Sequence, residues 1–180
     1  MWKRLTHPNV VPLLGITISP FQLISDWMPG GDLPEYIKSN PNTDRLGLVC
    51  VSPVVFFPRS LRYQLSDVAN GLFYIHSYNV IHGDLKGVCG HSKYHLPSRF
   101  TPDQANILVD DSGHARIADF GLATVIQNLN SMRIASCQLG HTARWTAPEV
   151  LKEGKYSKEA DIFSFAMVMI EVRNGRNTVC

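Results

Sequence analysis

His82-Gly83-Asp84-Leu85-Lys86 is the stretch on which the fold of this chain turns. Working outward from it, Asn106-Ile107-Leu108-Val109-Asp110 comes next, then Ala118-Asp119-Phe120-Gly121, then Ala147-Pro148-Glu149. Any one of these motifs recurs by chance, but four in this order are specific. Their side chains form one chemical set. Asp84 offers a carboxylate that can take a proton, and Lys86 a cation that can neutralise a moving anion. Asn106 and Asp119 offer the oxygen ligands that hard cations require. In isolation Asp84 reads as a turn or capping carboxylate and Lys86 as a solvated charge. Asn106 and Asp119 alone read as ordinary turn residues. The joint pattern favours the chemical reading.

The composition narrows the class. The 180 residues make room for one domain. With 44% hydrophobic and 18% charged residues the chain is globular rather than disordered. Lys and Arg number 17 against 15 Asp and Glu, and no basic cluster occurs, so a nucleic-acid partner is not expected. Cys50, Cys89, Cys137 and Cys180 stand far apart, in no metal-ligand spacing. No apolar signal core opens the chain. Its longest apolar runs, 49–58 and 162–170, fall short of the roughly 20 residues of a membrane helix. No membrane segment is expected, and a cytoplasmic, intracellular protein is; the oligomeric state is left open.

Periodicity supplies the elements. Residues 10–18 and 21–24 are rich in Val, Ile and Leu and read as strands. Pro29-Gly30-Gly31 breaks the chain, and Asp32 caps a helix over 33–38 with Pro34 in its first turn. The clearest helix is 65–77, with Leu65, Val68, Ala69, Leu72, Phe73 and His76 on one stripe. Short strands are expected at 80–81, 106–109 and 115–118, the last after an Asp-Ser-Gly turn. Residues 161–172 are apolar on nearly every side, which predicts a helix in the middle of a core.

On its four ordered motifs the chain resembles the eukaryotic protein kinases, from about residue 2 to 172. The resemblance implies an α+β, bilobal fold held in part. Residues 1–28 would be the end of the N-lobe strands and the hinge, and 29–180 about half of a mainly helical C-lobe. It also implies transfer of the ATP γ-phosphate to Ser or Thr hydroxyls of a protein substrate, with Mg2+. Asp84 would be the base, Lys86 the phosphate neutraliser, and Asn106 and Asp119 the metal ligands. Residues 25–32 look like the hinge, where the Asp26 carbonyl and the Met28 amide and carbonyl would pair with adenine. Ser25 falls at the gatekeeper position, Asp32 would meet the ribose, and Leu108 would lie under the base. Plain core packing is the alternative for Met28 and Leu108. Lys86 and Thr142 resemble serine/threonine kinases, whereas Arg144-Trp145-Thr146 resembles tyrosine kinases. That mixture is similar to the tyrosine-kinase-like group, usually Ser/Thr-specific. The alternative class is a non-catalytic kinase-like binding module; retention of Asp84, Lys86, Asn106 and Asp119 argues against it.

Three departures qualify the resemblance. Gly83 stands where many kinases have the Arg that pairs with a phosphorylated loop residue. Activity not gated by loop phosphorylation is therefore expected. Thr124, Ser131, Ser136 and Thr142 are candidate phosphosites or ordinary polar loop residues. No Gly-rich phosphate loop and no Val-Ala-Ile-Lys strand occur, so these 180 residues read as a truncated, catalytically incomplete fragment. Finally, Asn106 follows Asp84 by 22 positions where the family has five, so an insert is expected to hold the two apart. Residues 49–64 and 88–104 look foreign, and each opens on Val-Cys and closes on Gln. They read as translated introns or as genuine loop insertions, and the matched boundaries favour introns. Val179-Cys180 repeats the opening pair, as a third splice donor or by coincidence.

Overall fold

The computed structural model describes residues 2–40, 49–52, 55–57, 59–87, 105–120, 124–125 and 143–174. The patch 88–104, together with Ser131, Ser136, Thr142 and Val179-Cys180, lies outside them.

Two antiparallel strands, β1 (Leu13–Ile18) and β2 (Phe21–Ser25), follow a short 3-10 turn at Trp2–Arg4. Their register runs from Leu13↔Ser25 to Ile18↔Phe21, with an irregularity at Leu14. The segment before β1 is stitched to the rest of the molecule. Val10 forms a parallel bridge with Ile117, the Ile117 amide donates to the Asn9 carbonyl at 2.9 Å, and the Val11 amide donates to the Ile117 carbonyl at 2.8 Å. The buried Asn9 side chain donates to the Ala115 carbonyl at 3.1 Å. The expected strand over 10–18 is thus a bridge followed by a strand that starts at Leu13.

After the hinge stretch come β3 (Gly31–Asp32) and α1 (Leu33–Ser39). The cap forms as expected: Asp32 Oδ1 accepts the Glu35 amide at 2.8 Å, and Pro34 sits in the first turn, where its missing N–H costs nothing. β4 (Val49–Ser52) and β5 (Val55–Phe57) form a small hairpin before the long helix α2 (Arg59–Ser77). α2 begins six residues before the expected 65, inside the first foreign patch. Gln64, the last residue of that patch, is buried and donates to the Gly113 carbonyl at 3.1 Å. The patch end is therefore no structural boundary. The buried stripe of α2 is Leu65, Val68, Leu72 and Ile75. Ala69 and Phe73, expected on it, face outward, and Phe73 is 77% exposed. Apolar residues adjoining a 3.6-residue stripe satisfy the same periodicity without sharing its burial.

β6 (Val80–Ile81) pairs with β9 (Thr124–Val125). β7 (Ile107–Val109) lies between β3 and β8 (Ala115–Ile117) in a three-stranded antiparallel sheet. α3 (Pro148–Glu153) starts on a proline and ends at Gly154. α4 (Lys158–Asn174) is the last described element. α4 corrects the expectation of a fully central helix. Asp161, Ser164, Val168 and Val172 are buried, whereas Ile162 and Ile170 are about half exposed at 53% and 47%. The main core joins Leu65, Val68, Leu72 and Ile75 of α2 to Ile107, Val109, Ile117, Val168 and Val172. It carries the catalytic-type loops on its rim.

Candidate active site

β6 delivers the chain into the loop 82–87. His82 is fully buried, and Asp161 at the start of α4 fixes the loop from below. Asp161 Oδ2 accepts the His82 amide and His76 Nε2, each at 2.8 Å, while Oδ1 accepts the Gly83 amide at 2.9 Å. Three donors on one carboxylate at 1% exposure make a charge-assisted anchor. Gly83 sits at φ 81, a left-handed backbone that costs a side chain about 1–2 kcal/mol and glycine nothing. The His82 ring holds the next turn. Nε2 donates to the Ala118 carbonyl at 3.0 Å, which leaves Nδ1 to accept the Asp84 amide at 3.3 Å.

Asp84, Lys86 and Asn106 converge. Lys86 is buried and its Nζ lies 3.2 Å from Asp84 Oδ2. The Asn106 amide donates to the Lys86 carbonyl at 3.2 Å. Asn106 Nδ2 donates to the Asp84 carbonyl and, at 3.3 Å, to Asp84 Oδ2. The expectation that the insert holds Asp84 and Asn106 apart is thus overturned. The chain leaves after Gly87 and returns at residue 105 with Asn106 seated on Asp84, because four polar groups at the neck bond each other.

Asp119 is tied to the same neck. The Ala118 amide donates to the Asn106 carbonyl at 2.8 Å, and Asp119 follows at φ 56. That conformation is uncommon outside glycine, persists only where the surroundings enforce it, and is typical of functional sites. Phe120 is enclosed by His82, edge-on with centroids 5.2 Å apart, and by Trp2 at 5.3 Å.

The residues expected at the nucleotide form a second group. Met28 is buried with Val11 and Ala118, and Leu108 packs against that cluster. Asp32 lies opposite Leu108 in the β3–β7 register. The Met28 carbonyl accepts the Gly31 amide at 3.1 Å, and one Asp32 oxygen serves as the α1 cap. Asp26 and Ser25 are exposed at the end of β2 and just beyond it.

A metal finds suitable donors here. Asn106 Oδ1 is buried without a hydrogen-bond partner among the described residues, while its Nδ2 is engaged. An orphaned amide oxygen beside carboxylates suits a hard cation. Among the described residues no cluster of three or more His, Cys, Asp or Glu could hold a metal. A cation at Asn106 and Asp119 would therefore rely on phosphate oxygens for further ligands, as magnesium commonly does.

A narrow cleft runs from Asp84 to the segment before α3, lined by Gly83, Leu85, Thr146, Ala147 and Tyr156 among others. Burial pushes the Tyr156 hydroxyl above its ordinary range, and the Asp84 charge adds to it. The sequence reading missed Asp161 and His76. One signal was available: a lone carboxylate opening an apolar run. Nothing local showed where it would point.

The comparisons agree with this geometry. The family model "Protein tyrosine and serine/threonine kinase" matches residues 1–88 and 103–179. The chain belongs to this protein kinase family. The match runs through the first patch, 49–64, and breaks at the second. Serine/threonine-protein kinase 12 of Arabidopsis thaliana is 33% identical over 97% of this chain and 32% of its own length. Serine/threonine-protein kinase VIK of the same plant is 32% identical over 96% and 34% respectively. The probable serine/threonine-protein kinase drkD of Dictyostelium discoideum is 32% identical over 98% of this chain and 12% of its own length. The chain thus spans about a third or less of these relatives. No described helix of this kinase chain is long and apolar enough to cross a membrane.

Proposed function

We propose that the protein to which these residues belong transfers the γ-phosphate of ATP to Ser or Thr hydroxyls of intracellular protein substrates. The observation that carries the reading is the Asp84–Lys86–Asn106 cluster, which closes across the insert and leaves Asn106 Oδ1 unpartnered. Asp84 accepts the proton of the attacking hydroxyl as the new O–P bond forms and the bond to the leaving ADP breaks. Lys86 balances charge on the phosphoryl group in flight. Asn106 and Asp119 hold Mg2+, which neutralises phosphate charge. The buried Met28 and Leu108 bracket the adenine, with the Asp26 carbonyl and the Met28 amide and carbonyl as its polar partners and Asp32 toward the ribose. The Ser/Thr assignment rests on Lys86, on Thr142 and on the relatives' names.

The insert 88–104 is read as an excisable segment, which the break in the family match supports. These 180 residues hold no Gly-rich phosphate loop, so the test belongs on full-length protein from mature transcript. Phosphate transfer to a Ser/Thr substrate is expected, and Asp84→Asn should lower turnover by about 10²–10⁴-fold. With Gly83 in place of a phosphate-pairing Arg, phosphatase pretreatment should leave the rate unchanged. Full-length protein that binds ATP without transferring phosphate would point to a non-catalytic module instead.

A further inference from the structure

α4 touches the site at a second place. One turn-spaced face carries Asp161, Ser164, Val168 and Glu171. Asp161 holds the start of the loop 82–87, and Glu171 lies against its end. A Cβ on Gly87 would fall onto Glu171 Oε2 and 2.9 Å from its Cδ. The same Oε2 accepts the indole N–H of Trp145 at 3.0 Å. Trp145 is gripped elsewhere too: its carbonyl accepts the Ser164 hydroxyl at 2.6 Å, and the Arg144 guanidinium carbon lies 5.8 Å from its ring centroid. Trp145 opens the stretch Trp145-Thr146-Ala147 that faces Gly83-Asp84-Leu85 across the cleft. None of Met28, Asp32 or Leu108 lines that cleft.

We propose that Glu171 is a positioning residue for the phosphoacceptor side of the site. It sets the spacing between Asp84 and the Trp145–Ala147 wall by joining Trp145 to the glycine at the end of the Asp84 loop. This inference rests on the kinase reading. Gly87 belongs to the device, because only a residue without Cβ lets the carboxylate lie against the backbone. Glu171 acts through Trp145 and touches neither nucleotide nor metal ligands, so its loss separates acceptor binding from ATP binding.

The test is steady-state kinetics of the full-length kinase with ATP and a Ser/Thr peptide varied independently. Glu171→Ala removes the acceptor, and Gly87→Ala displaces the carboxylate with its charge intact. Each should raise the peptide KM about tenfold, the order expected for one charge-assisted hydrogen bond, with the ATP KM within about twofold. Glu171→Gln keeps an oxygen for the indole and should stay within about threefold of wild type. An equal rise in both KM values, or Glu171→Gln as impaired as Glu171→Ala, overturns the positioning role. Wild-type protein without transfer overturns the kinase reading, and the acceptor role falls with it. Wild-type transfer with an unmoved peptide KM in both alanine variants sinks this inference alone.

Discussion

Asp110 uses both carboxylate oxygens on the turn between β7 and β8. Oδ1 accepts the amides of Ser112 at 3.0 Å and His114 at 2.9 Å, and Oδ2 takes Arg116 Nε at 2.9 Å and Nη2 at 2.8 Å. Burial pushes the carboxyl pKa up, but the His114 amide, the Arg116 guanidinium and the Ser112 amide together outweigh it and hold the pKa below its ordinary value. A depressed folded pKa contributes stability above the unfolded pKa, and that stability is lost as pH falls through the folded value. Asp110→Asn should therefore cost the full-length protein about 2 kcal/mol at neutral pH. The difference should vanish below the ordinary carboxylate range. Urea midpoints at pH 7 and at acid pH measure this, and a constant gap would show that ionisation of Asp110 is not the source.

At the scale of elements, α4 is a scaffold. Its helix propensity could be met by any apolar sequence, but its Asp161 satisfies the amides of His82 and Gly83 and the ring of His76. Removal would leave buried donors without a partner, each costing about 1–3 kcal/mol. Asp161→Asn cannot substitute, since its NH2 would face donors. The expected loss on Asp161→Asn is above about 3 kcal/mol, summed over those donors. A urea midpoint that barely moves would mean the loop is held from elsewhere. Leu33–Ser39 is the contrasting case. Its cap and first turn are local, so the sequence alone placed it to within one residue.

At the scale of the molecule, the β1–β2 hairpin is the exposed part. Leu14, Ile16 and Ile18 lie outward at 58%, 56% and 87% exposure, joined by Leu23 and Ile24 on β2 and by Ile162, Phe163 and Ile170 on α4. A two-stranded hairpin is marginal by itself, and contiguous apolar surface drives association. These 180 residues, expressed alone, should self-associate or stay with chaperones. Sedimentation velocity reads this directly, and a monomer with one cooperative melt would refute it.

The sequence by itself determined the family, the strand pair, the Asp32 cap and the identity of Asp84, Lys86, Asn106 and Asp119, because motif order and short-range capping are written in residue types at fixed spacing. It misjudged what depends on distant partners. The start of α2 at Arg59, the outward turn of Phe73 and the half-exposed faces of α4 follow from which neighbours cover each side, and periodicity cannot supply that. Only the tertiary structure decided that Asn106 returns to Asp84 across the insert and that Asp161 and Glu171 carry the loops. Those bonds join residues 22 to 85 positions apart. A polar side chain's partner is settled by which groups are buried together, not by what precedes it in the chain.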